Sequence, residues 1–177
     1  IVADEAYVVF VERSDYPDLL AELRAGRQNL IVLRTFAKIY GLAGLRLGYA
    51  FGHPDVMGYL ERARPTFNVN ALAQAAGLAA LEDGDHVALS RTHANACRAQ
   101  FMSELVGLGL KPISSNTNFI AVEVGDDMEV TTALMDQGFT VTPLSGWGIP
   151  RHIRISFGTE AENVRFFIAL RQVLGHN

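Results

Sequence analysis

One lysine, Lys38, lies in a segment whose residue types could do amine chemistry. The apolar run at residues 30–33 predicts a buried strand of about four to six residues that ends just before it. The residues on either side of the lysine are phenylalanine and alanine, then isoleucine and tyrosine. We expect these neighbours to bury Lys38 and to favour a neutral amine that attacks carbonyl carbons. The alternative is a strand–turn–strand with an exposed lysine.

Three glycines and an arginine follow this lysine. Gly41, Gly44 and Gly48 interrupt any long helix or strand, and Arg46 lies eight residues after Lys38. A planar guanidinium is suited to a phosphate group because it donates two parallel hydrogen bonds. The segment therefore combines an amine with a candidate anion-binding side chain on a glycine-rich turn.

The motif from Thr35 to Gly48, T-F-A-K-I-Y-G-L-A-G-L-R-L-G, resembles the lysine region of class I and II aminotransferases. The resemblance implies an α/β fold of the aspartate-aminotransferase type (fold type I) with pyridoxal 5'-phosphate (PLP) as cofactor. It implies that Lys38 forms the Schiff base with the cofactor and that Thr35 and Arg46 bind its phosphate. Ala37 stands where many members of the family have serine, so one phosphate-binding hydroxyl is lost.

A second motif, D-E-A-Y, covers Asp4 to Tyr7. Taken alone, Asp4 is typical of a turn or helix cap. The resemblance implies instead that Asp4 pairs with the pyridine nitrogen of PLP, which keeps the ring an electron sink. It also implies that Tyr7 donates to the phenolate oxygen of the ring. We assign no chemistry to Glu5.

Near the C-terminal end, Arg154 lies between apolar residues of a predicted strand, where an arginine without a partner is costly to bury. An unpaired structural arginine is one interpretation. In the family, the arginine of R-[IV]-[ST]-x-G binds the substrate α-carboxylate, and the resemblance gives Arg154 this role. The stretch R-I-S-F-G-T-E-A-E-N is most similar to the histidinol-phosphate aminotransferase branch of the family.

Two further residues are candidates for substrate binding. Asn118, in S-N-T-N-F, matches the S-x-x-N-F pattern that marks a segment folding over the active site in the family. Arg165, eleven residues after Arg154, could meet the distal phosphate of a phosphorylated donor or could lie on a solvated helix face. Arg151 is the other cation nearby.

The expected reaction is transfer of the amino group of histidinol phosphate to 2-oxoglutarate, which gives imidazole acetol phosphate and glutamate in histidine biosynthesis. An aromatic amino acid aminotransferase has the same motifs. A decarboxylase of the same fold and a non-catalytic regulator domain are also consistent with the sequence. In the family, the region that corresponds to residues 66–81 lies at a dimer interface, so we expect a homodimer.

Composition narrows the class of protein. Hydrophobic residues make up 49% and charged residues 19% of the 177 residues, which is enough apolar content for a folded core. The net charge of −4, without a basic run, argues against binding to nucleic acid or to an anionic membrane. A single cysteine, Cys97, suits a reducing compartment, so we expect a cytoplasmic protein. His93 and Cys97 are four residues apart, but two ligands do not make a metal site.

The sequence has no initiating methionine, and its first residues have the pattern of a strand end, so we expect the C-terminal portion of a longer protein. The resemblance implies that residues 1–83 are part of a large cofactor-binding domain and that residues 84–177 form a long connecting helix and a small α/β domain. Glycine, proline and capping residues predict helices at 16–26, 55–64, 71–81, 86–107, 128–136 and 160–174. Apolar runs predict strands at 1–3, 30–33, 45–51, 111–113, 118–124, 139–142 and 152–156.

Overall fold

The structure is a computed structural model that describes residues 1–175. The chain forms two compact units, Ile1–Arg91 and Thr92–Asn177. The boundary between them lies inside one long helix, Gly84–Gly107. The division expected between residues 83 and 84 lies at the start of this helix and stays a prediction. None of the described helices is long and apolar enough to cross a membrane.

The first unit is built on a three-stranded sheet in the order β1–β2–β3. Its strands are β1 (Val2–Asp4), β2 (Ile31–Thr35) and β3 (Gly48–Gly52). β1 is parallel to β2, and β3 is antiparallel to β2. The central strand, β2, is the most buried, and its Val32 has no exposed surface. The helices are α1 (Leu19–Arg24), α2 (Pro54–Ala63), α3 (Ala71–Glu82) and the start of α4 (Gly84–Gly107), with 3-10 turns at Val8–Phe10 and Ala43–Leu45.

The second unit contains a four-stranded antiparallel sheet in the order β4–β5–β7–β6. Its strands are β4 (Lys111–Ile113), β5 (Phe119–Glu123), β6 (Thr142–Pro143) and β7 (His152–Ser156). The rest of α4, α5 (Asp127–Asp136) and α6 (Glu160–Val173) complete the unit, with a 3-10 turn at Ser145–Trp147.

Alternation along β5 and β7 gives this second sheet one apolar face. Ile153 and Ile155 belong to the buried core together with Phe101 of α4 and Phe167 of α6. The Phe101 ring is the centre of this core, with its centroid 4.6 Å from that of Phe167. The helices therefore cover the face that carries the isoleucines. Arg154, between the two isoleucines of β7, belongs to the opposite face.

Several helices begin at the polar residues that their sequences provide. Asn70 caps α3 by accepting a hydrogen bond from the backbone of Ala73 at 2.8 Å. Thr159 caps α6 in a reciprocal capping box with Glu162. A cap of this type contributes about 1 kcal/mol to stability.

Most predicted elements agree with the structure to within two residues at each end, and three differ by more. The helix expected over 16–26 is only Leu19–Arg24, because Asp18 caps it at a later position. The strand expected from residue 45 begins at Gly48, after a 3-10 turn. The strand expected over 139–142 is the two-residue β6.

Candidate functional site

The Lys38 motif and the D-E-A-Y motif of the first unit meet where β1 and β2 end. These strands are parallel, so their carboxyl ends lie at the same edge of the sheet, and Asp4 is paired with Leu33. Thr35 lies two residues beyond Leu33, so Asp4 and Thr35 belong to the same face. In open α/β sheets, ligands bind outside the carboxyl ends of the strands. The edge therefore has the place and the residue types of a ligand site.

The loop that carries Lys38 is closed at its base by backbone hydrogen bonds. Phe36 donates to Leu47 at 3.1 Å, and Leu42 donates back to Phe36 at 3.0 Å. Gly48 lies opposite Thr35, and a Cβ there would lie 3.0 Å from the carbonyl oxygen of Arg34, so glycine allows this close pairing. The closed base brings the segment of Arg46 back beside Thr35 and Phe36.

Lys38 lies against the second motif. Its Nζ is 5.1 Å from the centroid of the Tyr7 ring, a cation–π contact. The amine is thus held at the end of β1, next to the residue that the family pattern places on the cofactor ring. The expectation that its neighbours bury Lys38 is wrong for this chain: Phe36 and Ile39 are buried, whereas Lys38 is exposed. The apolar side chains turn into the core, and the lysine turns away from it.

Asp4 is exposed, and its Oδ1 accepts a hydrogen bond from the backbone of Ala6 at 3.0 Å. This contact belongs to the turn that begins the D-E-A-Y segment. It orients the carboxylate at the strand end, so the turn interpretation and the cofactor interpretation are compatible in this structure.

Glu5, to which the sequence assigned no role, is a buried carboxylate. Its side chain is 2% exposed and accepts hydrogen bonds from Nε and Nη2 of Arg34 at 3.0 and 2.8 Å. The hydroxyl of Tyr16 donates to it at 3.4 Å, and burial together with the Glu5 charge raises the pKa of Tyr16. Glu5 follows Asp4 and Arg34 precedes Thr35, so this ion pair joins the two motifs. The sequence around Glu5 did not indicate this pair, because its partner is 29 residues away.

Thr35 and Arg46 both make local contacts. The Thr35 hydroxyl accepts from the backbone of Ala37 at 3.0 Å and donates to the carbonyl of Leu47 at 3.4 Å. Arg46 is exposed, has a left-handed backbone with φ of 54°, and donates from Nη1 to the carbonyl of Ala43 at 2.9 Å. The exposed guanidinium has more donors than this one contact uses, as an anion-binding arginine requires.

In the second unit, Arg154 lies on the sheet face that the helices leave uncovered. Its guanidinium carbon is 5.0 Å from the centroid of the Phe119 ring. Its Nε is buried and has no hydrogen-bond partner among the described residues. Buried donors are nearly always satisfied, so an unsatisfied one needs an explanation such as an absent ligand. Arg154 thus has the environment of an anion-binding side chain.

Asn118 and Arg165, the two further candidates for substrate binding, lie in different parts of the second unit. Asn118 directly precedes β5, and its carbonyl accepts a hydrogen bond from the backbone of Phe157 at 3.0 Å, close to the end of β7. Arg165 is exposed on α6, and its guanidinium carbon is 5.7 Å from the centroid of the Phe139 ring. Because α6 packs on the isoleucine face of the sheet, Arg165 lies on the other side from Arg154. This placement favours the helix-face interpretation of Arg165.

The side chains of His93 and Cys97 contact neighbouring residues of the second unit. Cys97 is buried, which raises the pKa of its thiol, and the amide of Asn163 donates to its sulfur at 3.3 Å. His93 Nε2 lies 2.9 Å from the carbonyl oxygen of Gly158. Within residues 1–175, no group of three or more histidine, cysteine, aspartate or glutamate side chains could hold a metal ion.

Comparison with known proteins agrees with these motifs. The model of the family "Aminotransferase class I and II" matches residues 1–170. The chain belongs to this family. It is 46% identical, over 177 residues, to histidinol-phosphate aminotransferase 1 of Nitrosococcus oceani, covering 98% of this chain and 47% of that protein. The chain thus spans about half the length of the curated relatives it matches.

Two solved structures show the fold of this class I and II aminotransferase chain. One is the histidinol-phosphate aminotransferase of Sinorhizobium meliloti in complex with PLP. Its TM-score is 0.81 at 31% identity, and the match covers 98% of this chain and 48% of that one. The aspartate aminotransferase of Thermotoga maritima, at 22% identity, shows the fold alone, with a TM-score of 0.86 over 99% of this chain and 48% of that one. The expected α/β fold of the aspartate-aminotransferase type is confirmed.

Proposed function

We propose that this chain supplies the cofactor lysine and the substrate-carboxylate arginine of a PLP-dependent aminotransferase that acts on histidinol phosphate and 2-oxoglutarate. The contact of the Lys38 amine with the Tyr7 ring, at the strand end that carries Asp4, is the observation behind it. The names of the relatives support the choice of donor, because the N. oceani protein is a histidinol-phosphate aminotransferase.

The residues of the strand edge fit PLP. An exposed amine suits its aldehyde, an exposed carboxylate suits the protonated ring nitrogen, and an exposed arginine suits its phosphate. We therefore assign Lys38, Asp4, Tyr7, Thr35 and Arg46 to the cofactor. Ala37 offers no hydroxyl to the phosphate. Its backbone N–H donates a hydrogen bond to the Thr35 hydroxyl and stabilises the local turn.

The chemistry divides between the cofactor and the chain. When bound, PLP supplies an electron sink for the negative charge left at the α-carbon of the substrate. Lys38 moves the proton of that α-carbon, first as general base and then as general acid. Asp4 would pair with the ring nitrogen and favour its protonated form. Tyr7 would donate a hydrogen bond to the ring oxygen, and its ring contacts the Lys38 amine.

Arg154 supplies the recognition of the acceptor. Its unsatisfied Nε is a donor for the α-carboxylate of glutamate or 2-oxoglutarate. Asn118, near the end of the same strand pair, is the second candidate for contact with substrate. The contact of Arg165 with the distal phosphate of the donor stays a prediction, because Arg165 lies on the other side of the sheet from Arg154.

Competition between donors tests the proposal. Histidinol phosphate should exceed phenylalanine in kcat/KM by at least roughly tenfold, which corresponds to about 1.4 kcal/mol of transition-state discrimination. A preference for phenylalanine or tyrosine would replace this substrate with aromatic amino acids. Release of CO2 would instead indicate a decarboxylase, and a protein that binds PLP without any half-reaction would indicate a regulator domain.

We further propose that the active protein is a cytoplasmic homodimer and that the 177-residue chain alone does not turn over. Val2 and Leu33, on one face of the first sheet, are 64% and 37% exposed, and β1 is an edge strand. Exposed apolar edges favour pairing with further chain. Steady turnover by the isolated chain, at the rate of the intact protein, would contradict this inference.

A further inference from the structure

The first two turns of α4 contact the Lys38 motif and the segment that follows the D-E-A-Y motif. Both lie near the edge of the sheet where β1 and β2 end, which we call the cofactor edge. Nε2 of His86 lies 3.0 Å from the carbonyl oxygen of Ile39, the residue after Lys38. One turn and a half later, Nε of Arg91 donates to the carbonyl of Val9 at 2.9 Å, two residues after Tyr7. The helix therefore touches the two segments that hold the candidate amine and the tyrosine.

The His86 contact falls at the centre of the turn that presents Lys38. The turn runs from Lys38 to Gly41 and is closed by a hydrogen bond from the Gly41 N–H to the Lys38 carbonyl at 2.9 Å. The carbonyl of Ile39 belongs to the central peptide of this turn. The orientation of that peptide distinguishes the common turn types, so a donor on its carbonyl stabilises one backbone geometry.

Two details make His86 a suitable donor. A carbonyl oxygen can only accept, so Nε2 must carry hydrogen in this contact. Gly41 has φ of 71°, and a Cβ there would lie 3.9 Å from Nε2 of His86. The imidazole thus lies against the turn at two of its four residues. The donor itself is part of a 24-residue helix, which is a firmer support than a loop.

We propose that His86 is a positioning residue for Lys38, holding the central peptide of the Lys38–Gly41 turn so that the amine stays at the cofactor edge. Arg91 steadies the same part of α4 on the segment that follows Tyr7. The inference rests on the proposed function only in naming Lys38 as the reacting amine. The hydrogen bond itself does not depend on the cofactor.

Hydrogen exchange in the cofactor-free intact protein tests the contact. One hydrogen bond on a part-exposed turn changes an opening equilibrium by roughly two- to tenfold. His86→Ala should therefore speed exchange of the Gly41 amide by about that factor. His86→Gln, whose amide nitrogen lies the same number of bonds from the backbone, should restore most of the protection. Leu89→Ala, at a 70% exposed position of the same helix, is the matched control and should match wild type.

A second readout follows the amine. After mixing with PLP, the protein is quenched with borohydride at successive times, and the labelled Lys38 peptide is quantified. His86→Ala should slow labelling by a factor similar to its effect on exchange, and His86→Gln should label at nearly the wild-type rate. Unchanged Gly41 exchange in His86→Ala would overturn the inference, as would faster exchange throughout the first unit, since that marks loss of general stability. Wild-type labelling at another lysine would reject the proposed function and leave the exchange result to decide whether His86 holds the turn.

Discussion

Replacing Arg154 with methionine should separate binding from stability. The Nε of Arg154 is buried without a partner, and the guanidinium contacts the Phe119 ring. A buried unsatisfied donor costs about 1–3 kcal/mol, and a cation–π contact returns about 0.5–2 kcal/mol. These effects nearly cancel, so we expect Arg154→Met to keep the free energy of unfolding within about 1 kcal/mol of wild type, or to raise it. Binding of 2-oxoglutarate should weaken by about 2–5 kcal/mol, or roughly thirty- to several-thousand-fold.

The assay pairs urea unfolding with titration of 2-oxoglutarate on the intact protein. Arg151→Met is the control, because Arg151 is an exposed arginine three residues earlier whose Nε pairs with Glu123 at 3.0 Å. An exposed pair contributes about 0–1 kcal/mol, so this control should change neither stability nor binding by much. A loss of more than about 2 kcal/mol of stability in Arg154→Met, with unchanged binding, would show that Arg154 is a structural arginine and refute the reasoning.

Three further predictions concern buried groups. Arg34→Met leaves the Glu5 carboxylate buried without its ion partner and should lower the free energy of unfolding by about 3 kcal/mol. The double variant Glu5→Leu/Arg34→Met should lose less stability than Arg34→Met, as measured by urea unfolding. Asp127 accepts from the Ser145 backbone at 2.9 Å, which lowers its pKa below the usual 3.8, so its stabilising effect is complete above that pH and is lost as the pH falls through the lowered pKa. Asp127→Asn should therefore flatten the acid side of a stability–pH curve, and an unchanged curve would contradict the assignment. Cys97, 4% exposed and with a pKa raised by burial, should react with iodoacetamide only after unfolding, as followed by mass spectrometry.

Sequence patterns predicted the bounds of strands in which buried and solvent-facing side chains alternate. The strand His152–Ser156 has the predicted bounds because its isoleucines alternate with polar residues between two turns. The strand predicted over 139–142 was wrong for most of its length. Phe139 packs on the core, with its ring centroid 5.7 Å from that of Phe166, but it is not paired with a strand. Periodicity reports which residues are buried, and backbone pairing also depends on where the neighbouring strand ends.

The candidate site shows the same limit. The motif of Lys38 predicted a loop that the structure closes onto the D-E-A-Y segment. It could not predict that Lys38 is exposed, because that depends on which way each neighbour turns from the sheet. The buried pair of Glu5 and Arg34, and the contact of His86 with Ile39, join residues 29 and 47 positions apart. No local spacing encodes such pairs, since the fold alone brings them together.

The site of covalent attachment of PLP tests the central claim most directly. The intact protein is loaded with PLP, reduced with borohydride, digested, and its labelled peptide is sequenced. This chain offers two lysines, Lys38 at the end of the β1–β2 edge and Lys111 in β4. We predict a label on Lys38 that disappears in Lys38→Ala together with transamination. A label on Lys111, or full transamination by Lys38→Ala, would contradict the assignment of Lys38 as the cofactor lysine.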